Sequence, residues 1–330
     1  MLKITKACEV TKVSTIIVSL YGQPGIGKTS MSSTSNKSLL LDCDSGAYRS
    51  EFTGDRVEVK NWSDIVGITV EDIEGYDTII IDTVGRALEF LSAALIIQNP
   101  KLSKKTGELT IAGYGAVKQS FRSWIGGLRT LNKDIVFVSH EKEERTGDDR
   151  IVRPDIQGGT YGEILKLADA MGYMYQEGQN RIIDFTPTDY HIGKDSGKIG
   201  KIIIPHFGQE PNFLSKIIQQ IKDTLNRVSM ENRKISQIVS AWRTRIDEIK
   251  NSEEANCFLL EIKEEKNPTV LTQVRGLLAK KTKNLGLRVN AHKQYELIVD
   301  CPDKKPESSE TFCPTQACFT DCPVFTKYKR

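Results

Sequence analysis

Four stretches of the chain are apolar without polar interruption: STIIVSLYG (14–22), KSLLLDCD (37–44), DTIIIDTVG (77–85) and DIVFVSHE (134–141). Each is short, rich in β-branched residues and continuous where a half-exposed strand would alternate. That pattern predicts strands buried on both faces, as in a parallel sheet covered by helices. Helix-period patterns lie between them, over 85–98 and 114–131. Two further strand candidates, LADAMGYMYQ (167–176) and RIIDFTP (181–187), are followed by a third run, GKIGKIIIP (197–205). Strands and helices taken in turn predict an α/β domain.

The pattern then changes. Residues 212–228 place Phe213, Ile217, Ile218, Ile221 and Leu225 at helical spacing, an amphipathic helix closing a first domain over 1–228. With the boundary at Ser229, a small helical domain follows over 229–298. Ile235, Ile238, Val239, Trp242, Ile246 and Ile249 form its first apolar stripe. Asn251 caps a short helix through Ile262, and Pro268 starts another that carries Val270, Leu271, Val274, Leu277 and Leu278 and ends near Gly286. These stripes read as core. Residues 299–330 are polar, rich in proline and cysteine, and without periodicity. No internal repeat is present.

Composition narrows the class of protein. The 330 residues suffice for one large domain and a smaller one. No apolar run approaches the roughly 18 residues of a membrane span, and MLKITKACEVTK has no secretory h-region. Seven cysteines form no even, paired framework, which together with a nucleotide loop places the protein in a reducing cytoplasm. The net charge of +3 by itself predicts no polyanion partner. Its excess lies in residues 223–330, at about +4 against about −1 for the rest.

The most specific motif is Gly22-Gln23-Pro24-Gly25-Ile26-Gly27-Lys28-Thr29, followed by Ser30. It matches G-x-x-x-x-G-K-[ST] between a predicted strand and a predicted helix, the context of a phosphate-binding loop. Glycines let backbone N–H groups converge on phosphate oxygens, and a helix N-terminus favours the same anion. Lys28 would reach the β- and γ-phosphates of ATP, and the Thr29 hydroxyl would ligate Mg²⁺. Asp82 closes the strand TIIID, where a carboxylate holds Mg²⁺ through water; capping of the next turn is the plainer alternative. Asp42 and Asp44 end the strand after the loop. Asp44 is the candidate general base for an attacking water, and Asp42 the one that holds the turn or joins the metal's outer shell, unless both are only helix caps. His140 ends the fourth strand, where a polar side chain can report the γ-phosphate to the segment that follows, or can be a simple turn residue.

In this order, YGQPGIGKTS, LLLDCDSGAYR, YDTIIIDTV, GYGAVKQSFRSWIGGLR, IVFVSHEKEE and LADAMGYM resemble a RecA-like P-loop NTPase core. More narrowly, the chain resembles the phage RecA-like nucleotide-binding family that includes the Sak-type single-strand annealing recombinases. The likeness covers about 205 residues. It implies an α/β fold with a mainly parallel sheet, followed here by the helical module and the cysteine-rich tail. Asp44 falls where RecA-type enzymes place a glutamate, in D-C-D in place of D-A-E, a shortening that bears on hydrolysis. His140 falls where RecA carries a glutamine coupled to a DNA-binding loop. The resemblance implies DNA contacts from the segment 144–163, with Arg145, Arg150 and Arg153, and from 99–115, with Lys101, Lys104 and Lys105; both could equally be ordinary surface. It also implies hydrolysis at subunit interfaces of a homo-oligomer, ring or short filament, and Lys194 in HIGKDSGKIGK is the candidate trans-acting cation.

Cys301, Cys313, Cys318 and Cys322 are spaced C-x11-C-x4-C-x3-C. Four thiolates suit Zn²⁺, although standard ribbons use C-x2-C knuckles; an iron–sulfur cluster or free thiols are the alternatives. The function this reading predicts is an ATP- and Mg²⁺-dependent recombinase, in a host cytoplasm if phage-encoded. It would bind single-stranded DNA, promote annealing or pairing, and could work with a single-strand-binding protein. A DNA motor, such as a helicase or packaging ATPase, and a nucleotide-gated adaptor with negligible hydrolysis are the rival readings.

Overall fold

The computed structural model describes residues 12–50, 54–146 and 149–297. They divide into two compact units that meet between Ser229 and Met230. The first begins with β1 (Ile17–Gly22), α1 (Lys28–Ser32), β2 (Ser38–Asp42), β3 (Asp55–Glu58), α2 (Trp62–Val66) and β4 (Thr78–Asp82). It continues with α3 (Val84–Gln98), α4 (Ile111–Thr130), β5 (Asp134–Thr146), β6 (Asp149–Pro154) and α5 (Gly158–Leu167). β7 (Ala170–Glu177), β8 (Asn180–Asp184), β9 (Lys194–Asp195) and β10 (Lys201–Ile203) follow, and α6 (Phe213–Asp247) has its first 17 residues in this unit and the rest in the second.

All ten of these strands join one sheet, ordered β10-β8-β7-β1-β5-β4-β2-β3, with β6 on β5 and β9 on β7. The six strands from β7 to β3 run parallel, and β6, β8, β9 and β10 are antiparallel additions. The uninterrupted apolar runs have a direct cause. In β1, Ile17 and Tyr21 pack into one core while Val18 and Leu20 pack into the other; Ile79 and Ile81 are likewise opposed to Ile80 in β4. One core lies under α3 and α4, where Leu88, Leu91, Phe121 and Ile125 are buried. The other lies under the start of α6, through Leu214, Ile217 and Ile221.

In three places the secondary structure departs from, or adds to, what the sequence pattern predicts. The polar segment 144–163 is a hairpin, with β5 and β6 paired from Glu141–Pro154 to Thr146–Asp149, leading into α5. A two-stranded ribbon with charged residues on both faces carries no apolar periodicity to announce it. The helix starting at 213 does not end at 228, because NRVSMEN holds no glycine or proline to stop it and Ser229 alone does not. The third departure concerns the second unit, which is not purely helical. In it, α7 (Ser252–Ile262) and α8 (Pro268–Asn284) precede β11 (Leu287–Val289), antiparallel to β12 (Tyr295–Leu297). Val239, Ile246, Phe258, Val274 and Leu278 are buried together in its core. Asn251 accepts from Glu254 N–H, and Asn267 from the N–H groups of Thr269 and Val270, as caps ahead of α7 and α8.

Candidate nucleotide site

GQPGIGKTS leaves the C-terminal end of β1 and enters α1, where parallel strands open onto a crevice. Gly22 is required by its neighbour: a Cβ there would lie 2.2 Å from the carbonyl oxygen of Met174 on β7. Gly27 caps α1 with a left-handed φ of 97°, and a Cβ on it would meet the Arg181 guanidinium at 2.7 Å. The bare backbone can therefore approach a phosphate closely. α1 is only five residues long. Ser32 and Ser33 hydroxyls donate back to Thr29 O, Thr34 to Met31 O and Ser35 to Ser32 O, so side chains compete for the carbonyls that would extend the helix. Ile26 anchors the loop against the core shared with α6, and Gln23 lends its carbonyl to Lys28.

Lys28 folds back on this loop, its Nζ donating to Gly22 O at 2.9 Å and Gln23 O at 2.8 Å. Burial pulls its ammonium down to about 8, against the attraction of Asp82, Glu141 and Asp44. The Thr29 hydroxyl donates to Asp82 Oδ2. Asp82 is buried at the end of β4, and that burial pushes its carboxyl up to about 6 in spite of this hydrogen bond. A hydroxyl and a carboxylate at one point are hard oxygen donors of the kind Mg²⁺ takes. Asp42 is not at the reacting end. Its two carboxylate oxygens accept from Gly46 N–H and Ala47 N–H at 3.0 Å each and hold the turn after β2.

Asp44 and His140 come together across the sheet, because β5 lies between β1 and β4 and places His140 opposite Gly22. His140 Nε2 is 3.5 Å from Asp44 Oδ2, and the Thr83 hydroxyl donates to the same oxygen at 3.2 Å. The histidine contact holds the Asp44 carboxyl below the usual carboxylate range, with Thr83 and Arg86 adding to it against partial burial. His140 Nδ1 is buried with no hydrogen-bond partner among the described residues. Lys28, Thr29, Asp44, Asp82 and His140 line one cleft of about 400 Å³, within the usual range for ligand sites. Pro24, Gly25 and Ser30 complete its loop side. A second cleft of about 600 Å³ shares Asp44, Thr83 and His140 as a wall and adds Lys60, Arg86 and Glu89.

Two cations of the first cleft escape a reading of the sequence: Arg49, just after the Asp42 turn, and Arg181 on β8. Arg181 reaches the loop only because β8 and β7 stand next to β1, and no local motif reports a strand order. The other proposed contact residues lie outside the cleft. On the β5–β6 hairpin Arg150 and Arg145 face Glu143 and Arg153 pairs with Glu144, and Arg153 also stacks over Tyr161 of α5. Lys104 pairs with Glu108 in a tight turn between α3 and α4, and Lys101 and Lys105 are exposed there. Lys194 is turned inward, its Nζ donating to Ala168 O at 2.5 Å and Leu165 O at 3.4 Å at the end of α5. Lys194 thus lies outside the cleft, with its ammonium on two backbone carbonyls. The four tail cysteines lie outside the described residues, as does any metal they hold.

A glycine loop with left-handed backbone at Gly25 and Gly27, a lysine on its carbonyls and a hydrogen-bonded pair of Thr29 on α1 and Asp82 at the end of β4 define a P-loop nucleotide-binding domain. The chain matches the model of the AAA domain family over residues 14–196 and belongs to that family. No curated protein matches the chain.

Proposed function

We propose that the chain is a Mg²⁺-dependent ATPase that uses the nucleotide to control its grip on single-stranded DNA, in the manner of the Sak-type annealing recombinases. One observation carries this reading. β5 runs unbroken from the sheet, past His140 at the cleft, into a hairpin bearing Arg145, Arg150 and Arg153. A shift of His140 towards a γ-phosphate would act directly on the base of that hairpin. The exposed ion pairs of Arg145 and Arg150 are worth about 1 kcal/mol or less each, so phosphates of a strand can replace Glu143 as partner.

Within the cleft the roles follow from charge. Lys28 releases the loop carbonyls and takes up phosphate oxygens, and the unpartnered Nδ1 of His140 leaves that ring free to reorient. Asp44, kept ionised, orients a water for in-line attack; as a weak base it takes the proton late, which suits a loose phosphoryl-transfer transition state. Mg²⁺, held by Thr29 and through water by Asp82, would neutralise the charge of the phosphates. The attachment of Asp44 to Thr83 and His140 supports slow turnover, and to that extent the adaptor reading. ATP turnover with and without single-stranded DNA, beside a strand-annealing assay, tests the proposal. DNA-stimulated turnover lost in Lys28→Ala and Asp44→Asn is the expected result. No DNA binding in the presence of a non-hydrolysable ATP analogue would sink it, and directional unwinding of a duplex would favour a motor.

A further inference from the structure

Arg181 brings a guanidinium to the phosphate loop from a strand far away in sequence. It stands on β8 and its Nη1 lies 2.7 Å from where a Cβ of Gly27 would be. Its guanidinium stacks over the buried ring of Phe207, 5.0 Å from the centroid. The strand below it is fixed: Arg181 O accepts from Ile204 N–H at 2.8 Å, and β8 pairs with both β7 and β10. Among the described residues no carboxylate pairs with the side chain and none of its five N–H donors is hydrogen-bonded. A half-buried arginine held by an aromatic face and left with all its donors free is prepared for an oxyanion.

We infer that Arg181 is a nucleotide-binding residue that holds the non-transferred phosphates of the nucleotide, supplied by the same chain that supplies the P-loop. The side from which it comes decides which phosphates. In the order β8-β7-β1-β5-β4-β2, Asp44, Asp82 and His140 all lie on one side of β1, and Arg181 lies on the other. The first group marks the γ-phosphate and the metal. Arg181 therefore meets the phosphates nearer the nucleoside, beside Gly27, and makes the same contact with ADP as with ATP. Gly27 is constrained by its left-handed backbone, and a side chain there would displace the guanidinium.

This inference rests on the nucleotide reading of the cleft, and the test separates the two. Binding of a fluorescent ADP and a fluorescent non-hydrolysable ATP analogue is titrated with the full chain, its Arg181→Gln variant and its Arg181→Lys variant, each first shown by its melting curve to be folded. Arg181→Gln is expected to weaken both ligands alike, by about 10- to 100-fold, the range for one charge-assisted contact. In steady-state turnover the loss falls on KM in preference to kcat. Arg181→Lys recovers only part of the affinity, because an ammonium cannot reproduce a stacked planar fork. Unchanged ADP affinity with a fall in kcat would overturn the inference in favour of a transition-state role. Unchanged affinity for both ligands would reduce Arg181 to a packing partner of Phe207. Wild-type chain that binds neither ligand would remove the nucleotide reading itself.

Discussion

Asp82→Asn should stabilise the protein free of nucleotide and metal, although it removes a residue the chemistry needs. Asp82 is 6% exposed and its carboxyl is raised by burial from 3.8 to about 6. At pH 8 the folded chain must keep it ionised where ionisation is unfavourable, at a cost of about 3 kcal/mol for two pK units. Asparagine keeps an oxygen to accept from Thr29 and carries no charge. The attraction between the Asp82 carboxylate and the buried ammonium of Lys28 is already contained in that raised value and subtracts nothing further. A net gain of about 3 kcal/mol, or roughly 6–12 °C in melting temperature for a unit of this size, is expected at pH 8. The pH dependence fixes the cause. A raised carboxyl pKa means that the folded state binds the proton more readily than the unfolded state between about 4 and 6, so the penalty grows as pH rises through that window and is constant above it. By pH 4.5 the penalty is about 1 kcal/mol, and the advantage of the variant should shrink in proportion. Urea unfolding in EDTA at pH 4.5 and pH 8 measures both values. A variant that is less stable at pH 8, or equally favoured at both pH values, would refute the argument. With Mg²⁺ present, the same variant should lose the metal-dependent part of ATP affinity.

Gly22→Ala should push β1 and β7 apart, because a Cβ 2.2 Å from Met174 O forces a shift of about 1 Å, and should destabilise by about 3 kcal/mol in chemical denaturation. Lys222→Met leaves Asp134, largely buried and 2.6 Å from the lost ammonium, with only the Ile16 N–H as partner; about 2 kcal/mol of stability should disappear, read by the urea midpoint. Leu278→Ala in the second unit, at 1% exposure, should lower stability by about 2–4 kcal/mol. Replacing Arg145, Arg150 and Arg153 together with glutamine should reduce the salt dependence of single-stranded DNA binding by about 2 in the slope of log K against log salt. An unchanged slope would place the DNA elsewhere.

The nucleotide loop, Asp82 and the four central strands were legible because their chemistry is local. A glycine pattern, a strand-end acid and an unbroken apolar run each lie within ten residues or so. The Asp44–His140 contact was legible only as a shared end of the sheet, and its wall between two clefts was not. Arg181 was beyond reach, since a residue more than 150 positions from the loop meets it through strand order alone. The β5–β6 hairpin was hidden for the opposite reason: its pairing is local, but its charged faces carry no periodic signal. At Ser229 the composition does change, and the helix nevertheless continues, because a change in what a helix packs against does not require a change in its backbone.

β5 also has a mechanical consequence. Its 13 residues span about 43 Å, the first half hydrogen-bonded on both edges in parallel to β1 and β4, the second half to β6. A pull along the strand from the hairpin tip loads the two parallel ladders in shear, so their bonds share the force and must yield together. A sideways pull loads them one after another. Tension borne along the strand thus meets two parallel ladders loaded together beside the nucleotide cleft.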